Sequence, residues 1–203
     1  MRISNTLLVV ALLAVTSLVF PNEANASAET LVSIDPAIYE VPEPMIGELF
    51  QLNLTVVNVT SLWSWKARIN WDPAILNFSS IQEGPFLSDV YSTLFLVSQN
   101  WTAINVGYLP EASCRLAASS GANGSGLLAT LTFRAIASGV TSITLNETRL
   151  REPMGVADIP HAVSDGQVTV IPEFPDSAIA VVLMILTSPI LLRRKRRWQI
   201  NRP

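Results

Sequence analysis

The segment ELFQLNLTVVNVT, residues 48–60, sets Phe50, Leu52, Leu54 and Val56 against Gln51, Asn53, Thr55 and Val57. Side chains two residues apart share a face on an extended strand, whereas a helix would need apolar residues three and four apart. LLATLTFRA repeats the pattern with Leu127, Ala129, Leu131 and Phe133, and TSITLNET with Ile143 and Leu145. Glycines and the run SSGANGSG punctuate these segments, and no window longer than ten residues has the period of an amphipathic helix. Many half-buried strands joined by turns predict an all-β chain, a sandwich or barrel of antiparallel sheets.

The same parity decides how SLWSWKARINW is read. Trp63, Trp65 and Trp71 fall on one face with Ala67 and Ile69; Ser64, Lys66, Arg68 and Asn70 fall on the other. A sugar-stacking platform would place its aromatic rings among polar groups on the wet face. Rings that share a face with Ala and Ile are expected in the core. The Asp72-Pro73 pair should end this strand, because proline has no N–H for the ladder and holds the preceding residue extended.

The two ends of the chain read differently from the middle. Residues 1–28 combine Arg2, the apolar run TLLVVALLAVTSLVF and small residues at cleavage spacing, the pattern of a secretory signal peptide. Residues 177–192, SAIAVVLMILTSPILL, are expected to form a transmembrane helix, and the basic tail 193–203, opening RRKRR, should stay on the cytoplasmic side. The reading is therefore an exported chain on the cell surface, with the domain at 29–171 outside and 172–176 as a linker. Pro172, Glu173 and Phe174, followed by an apolar segment and a basic cluster, resemble the PEF-CTERM sorting signal of archaeal surface proteins. That resemblance implies cleavage of the tail and replacement by a lipid anchor.

Charge and cysteine content narrow the function. Residues 29–171 carry 13 acidic and 6 basic side chains, a net charge of −7, while the whole chain has −3 because six cations lie beyond the apolar tail. An acidic domain with Lys66 as its one lysine will not track a phosphate backbone, so nucleic acid is excluded as a partner. A single cysteine, Cys114, rules out an internal disulfide and is expected to be buried. Asn53, Asn58, Asn77, Asn100, Asn123 and Asn146 each head an Asn-x-Ser/Thr triplet, more than composition alone predicts, which points to a glycoprotein. Asn53, Asn77 and Asn146 fall on the polar parity of their strands. Asn58 falls on the apolar parity and is placed at a strand end.

With these residues in view, GELFQLNLTVVNVTSLWSWKARINWDPAILNFSSIQEGPFL is similar to the first half of a cohesin domain. The Gly47-Glu48 opening, the aromatic-Asp-Pro of Trp71-Asp72-Pro73, Leu76 and the turn at Gly84 carry the likeness. GSGLLATLTFRAIASGVTSITL and the closing DGQVTV resemble the second half, so the likeness covers most of residues 31–170. It implies a nine-stranded antiparallel β-sandwich with jelly-roll topology, non-catalytic, which docks dockerin-type proteins in systems that degrade polysaccharide. It also implies that Ser64, Lys66, Arg68 and Asn70 form part of the partner-binding face. Some members carry Asn and Asp where this chain has Ser64 and Lys66, so a partner here should offer acidic or acceptor groups.

No hydrolytic or zinc-type constellation is legible. His161 reads as a solvated loop residue, and Asp158 and Asp165 are weak candidates for calcium. Two other functions stay open. One is a carbohydrate-binding module on the same sandwich, with Trp101 in QNWTAINVGYL as the sugar contact, since its parity opposes Ile104, Val106 and Tyr108. The other is a structural surface-layer protein.

Overall fold

The computed structural model describes residues 29–41, 46–98 and 100–172. The signal peptide, Glu173 and Phe174 of the sorting motif, the apolar segment 177–192 and the basic tail lie outside the described residues. Among the described residues, no helix is long and apolar enough to cross a membrane.

Eleven strands form among the described residues: β1 (Leu31–Asp35), β2 (Ile38–Val41), β3 (Leu49–Leu62), β4 (Ser64–Asn70), β5 (Leu76–Glu83), β6 (Thr93–Val97), β7 (Tyr108–Leu116), β8 (Ala122–Ala135), β9 (Gly139–Arg151), β10 (Ala162–Ser164) and β11 (Gly166–Val170). Two short helices, α1 (Pro85–Ser88) and α2 (Trp101–Asn105), and a 3-10 turn at Pro153–Gly155 interrupt them. One sheet has the order β10-β1-β3-β8-β5 and the other β2-β11-β9-β4-β7-β6.

The expected alternation packs these sheets face to face. Phe50, Leu52 and Leu54 of β3 stand opposite Phe133, Leu131 and Ala129 of β8, and all six are buried. From the other sheet come Trp65, Ala67 and Ile69 of β4, Leu109, Ala112 and Leu116 of β7, and Ile143, Leu145 and Leu150 of β9. Trp71 sits edge-on to Phe133 at 5.4 Å and stacks on Phe78 at 5.6 Å between ring centroids.

The count is eleven rather than nine for a specific reason. Leu31–Val41 and Ala162–Val170 each contribute two strands, because each stretch leaves one sheet and enters the other. β1 lies in the five-stranded sheet and β2 in the six-stranded one; β10 and β11 divide in the same way. The two stretches run side by side, so β1–β10 and β2–β11 pair in parallel within otherwise antiparallel sheets. A period-two pattern records which residues are half-buried but not which sheet buries them.

Asp165 sits at one of these crossings. The β11–β9 pairing ends at Gly166 and Ile143, so the next inward-bonding amide of β9 has no strand partner. The Asp165 carboxylate accepts that N–H, from Leu145, at 2.8 Å. The close approach is helped by Gly166, where a Cβ would press on Ile34 at 2.6 Å.

The Asp72-Pro73 pair does end β4. Asp72 Oδ1 accepts from Ala74 N at 2.8 Å, an Asx-type turn, and the Asp72 carbonyl accepts from Leu76 N as β5 begins. This turn is backed by Gly107, whose φ of +80° and close contact with the Trp71 carbonyl leave no room for a Cβ. QNWTAINVGYL is not one strand: Asn100 caps α2 by accepting from Ala103 N at 3.3 Å, and β7 starts only at Tyr108. Asn58 lies on a bulge inside β3 rather than at its end, with φ +55° and a register shift between Val56 and Val59. The bulge is what turns Asn58 outward while Val59 stays buried.

Replacing Asp165 by Ala should destabilise the domain by about 1–3 kcal/mol, the cost of an orphaned, largely buried N–H. Asp165→Asn, which keeps an acceptor oxygen, should cost less. Urea unfolding of the two variants beside the parent chain measures the difference.

Candidate docking face

β4 lies between β7 and β9, so its outward row is flanked on both sides. Ser64, Lys66, Arg68 and Asn70 alternate with the buried Trp65, Ala67 and Ile69. Across from Ser64 are Arg115 of β7 and Arg151 of β9; across from Lys66 are Ser113 and Arg149; beside Arg68 is Glu147. Leu94 and Leu96 of β6 extend the face at its edge, 40% and 53% exposed.

The face is crossed by ion pairs. Lys66 Nζ lies 3.2 Å from Glu111 Oε2, and Arg68 pairs with Glu147 while donating from Nε to the Pro110 carbonyl at 3.1 Å. Asp158 receives both Arg149, at 2.8 Å, and Arg151, at 3.1 Å. Arg115 is exposed and has no ion pair among the described residues. Five of the six basic residues between Glu29 and Ile171 therefore stand on this one face, answered by three carboxylates. The sixth, Arg134, is on β8 in the other sheet. An acidic domain has its positive charge gathered in one place.

The other sequence candidates fall elsewhere. Trp65 and Trp71 are core residues, but Trp63 is only partly buried. It sits in the one-residue break between β3 and β4, where its Nε1 donates to the Ala118 carbonyl at 2.7 Å and one edge of the ring borders the docking face. The side chain of Trp101 is outside the described residues, and its backbone is helical rather than extended. Tyr91 is the most exposed aromatic among the described side chains. His161 is not freely solvated: Nε2 meets Thr148 Oγ1 at 2.7 Å and Nδ1 meets the Ile159 carbonyl at 2.8 Å. Asp158 is held by two guanidinium groups, and Asp165 Oδ1 accepts a backbone amide. No group of three or more His, Cys, Asp or Glu side chains is placed to hold a metal among the described residues.

Of the glycosylation acceptors, Asn58, Asn77, Asn100, Asn123 and Asn146 are exposed and Asn53 is half-buried, accepting from Thr130 Oγ1 at 3.3 Å. Asn53, Asn58, Asn77 and Asn123 belong to β3, β5 and β8 of the five-stranded sheet. Asn146 alone is on a strand of the docking face, at the β9 irregularity beside Arg68.

Sequence reasoning did not join Arg115, Arg149 and Arg151 to this face. Their alternation in EASCRL and ETRLR was readable, but nothing local shows that β7 and β9 flank β4.

A two-sheet sandwich with one charged sheet face defines the class of the fold as a β-sandwich module. The cohesin domain model matches residues 24–170, and this chain belongs to the cohesin domain family. No curated protein matches it. Among solved structures it is similar to the non-cellulosomal cohesin from the hyperthermophilic archaeon Archaeoglobus fulgidus, with 16% identity over 71% of this chain and 93% of that one and a TM-score of 0.53. It is also similar to the third cohesin ScaC from Acetivibrio cellulolyticus, solved in complex with the ScaB dockerin, with 19% identity over 70% and 99% of the two chains and a TM-score of 0.56. The second type II cohesin of the ScaA scaffoldin from the same organism shares 18% identity over 74% and 94%, with a TM-score of 0.55. At these identities the likeness is one of fold.

Two titrations follow from the geometry. Cys114 is 2% exposed, and burial, with the Glu83 carboxylate 3.3 Å away, pushes its thiol up to about 12. It should resist alkylation at pH 8 in the native chain and react once denaturant is added, as mass spectrometry will show. Hydrogen bonds from Arg149 and then Arg151 hold the Asp158 carboxyl below its ordinary range. A depressed carboxylate contributes its anchoring above the ordinary value and loses it as pH falls through the folded one. Hydrogen exchange of residues 152–158 should therefore quicken selectively in strong acid, before the core strands open.

Proposed function

We propose that this chain is a non-catalytic docking module held on the cell surface, which binds a dockerin-type protein through the outward row of β4 and its neighbours. The observation that carries this reading is the gathering of five cations on one sheet face of an acidic domain. Such a field speeds encounter with an oppositely charged partner and fixes its orientation. Family membership supports it, as do cohesins of this fold solved bound to dockerins. So does the placement of four of the six glycan acceptors on the opposite sheet. In this reading the leader and the 177–192 segment export and anchor the module, Pro172-Glu173-Phe174 marks where the anchor is processed, and the partner serves polysaccharide breakdown.

The carbohydrate-binding reading needs a solvated row of aromatic rings. That reading rested on Trp101, whose side chain lies outside the described residues, while Trp65 and Trp71 are in the core and supply no such row.

The test is capture of partners from the secretome of the source organism with the full chain. A protein partner should be recovered at low salt and largely lost at high salt. Lys66→Glu with Arg68→Glu should weaken capture at least about tenfold, because each reversal places like charge against the partner. Recovery of no protein, or capture indifferent to both reversals, would count against the docking face.

A further inference from the structure

Two shallow depressions adjoin at the Ser64 end of the face. One is lined by Trp63, Leu94, Leu96, Arg115, Arg149 and Arg151, the other by Trp63, Leu94, Arg115, Ala118 and Met154. They share Trp63, Leu94 and Arg115, so they form one trough across the ends of β4, β6 and β7. The partly buried indole of Trp63 and the Leu94 side chain line both depressions, and Met154 lines the second.

Met154 is unusual for an isolated surface side chain. It sits at the tip of the 3-10 turn after β9, 73% exposed, with its backbone in the left-handed region at φ +60°. A long apolar side chain in that conformation is unfavourable on its own. The turn is nonetheless held firmly. Glu152 N donates to the Ala157 carbonyl at 3.0 Å, Ile159 N donates to the Leu150 carbonyl at 2.8 Å, and Asp158 takes both arginines of β9. The same carboxylate that fixes the turn therefore offsets two of the face's cations and leaves Arg115 as the exposed one with no ion pair among the described residues.

An apolar trough beside an unspent guanidinium is complementary to one kind of segment. We propose that the trough takes a protein segment presenting a large apolar side chain next to a carboxylate, the apolar group seated against Trp63, Leu94 and Met154 and the carboxylate on Arg115. This rests on the docking reading above and specifies its partner's chemistry. Central apolar anchors with an adjacent charge are the usual carriers of affinity in such interfaces. The net charge of the face favours an acidic segment and disfavours a basic one, whose carboxylate-poor surface would meet five cations.

The test titrates the full chain into three fluorescein-labelled helical peptides: one carrying Glu and Leu on adjacent turns, one with Lys in place of Glu, and one with Ala in place of Leu. The Glu–Leu peptide should bind with an affinity that falls as salt rises, and the other two at least about tenfold more weakly. In the protein, Arg115→Glu and Met154→Ser should each weaken the Glu–Leu peptide, the first at least about tenfold. Both sites are exposed, so the fold is not at stake; Trp63 is left intact for that reason. Arg134→Glu changes net charge by the same amount on the opposite sheet and should leave binding unchanged.

Equal binding of the Lys or Ala peptide overturns the proposal. So does an equal loss in Arg134→Glu, which would mean attraction to the whole domain and not to the trough. If a secretome partner is captured through Lys66 and Arg68 but is untouched by Arg115→Glu and Met154→Ser, the docking reading stands and this inference falls. Sedimentation that shows a dimer dissolved by Arg115→Glu would assign the trough to a second copy of this chain and overturn it as well.

Discussion

The edge-to-face contact of Trp71 with Phe133, 5.4 Å between centroids, is the joint on which the structure turns. It binds the residue that follows β4 in one sheet to the C-terminal part of β8 in the other. Phe78 and Phe50 complete the aromatic group around Phe133. Aromatic rings bring the largest apolar area per residue, and the tilted geometry adds to the burial itself. Because side chains alternate strictly along a strand, burying Trp71, Ile69, Ala67 and Trp65 obliges Asn70, Arg68, Lys66 and Ser64 to face outward. The docking face is thus a consequence of the core. A one-residue slip in β4 would put indoles in water and charges between the sheets.

The two outer faces then diverge in chemistry. On the five-stranded sheet, Ser33 and Thr55 share a hydroxyl bond at 2.9 Å and Thr130 donates to Asn53, with few charges and four Asn-x-Ser/Thr triplets on its strands. On the six-stranded sheet, cations and carboxylates interleave, with the apolar β6 edge beside them. Exposed ion pairs of this kind add little to stability. In the proposed function their value is recognition, because an exposed charged face steers encounter and discriminates between partners.

Much of this was legible residue by residue. Period-two segments marked β3, β4, β8 and β9, and the Asp72-Pro73 stop marked the end of β4. Cys114, expected to be buried as a lone thiol, is 2% exposed. Errors arose where a local pattern had two physical solutions. The alternation of QNWTAINVGYL suits a strand, yet Asn100 can cap a helix, and Ile104 reaches the core from it. Trp63 has the parity of Trp65 and bonds through its backbone to Arg151 and Leu116, but it stands where the chain passes from β3 to β4, and its ring is only partly buried. The structural partners of His161, read as solvated, and of Asp165, read as a calcium candidate, were not visible because Thr148 and Leu145 lie 13 and 20 residues away.

The sequence by itself determined which side chains alternate, and therefore that the chain forms sheets, which tryptophan row is apolar, and which row of β4 is wet. These are one-dimensional properties, set by backbone geometry and the hydrophobic effect acting on neighbours two apart. Only the tertiary structure decided that β7 and β9 flank β4, that both terminal stretches change sheets, and that five cations and the Trp63–Leu94–Met154 trough share one face. Strand order is set by contacts between residues far apart in the chain, and no local periodicity carries that information.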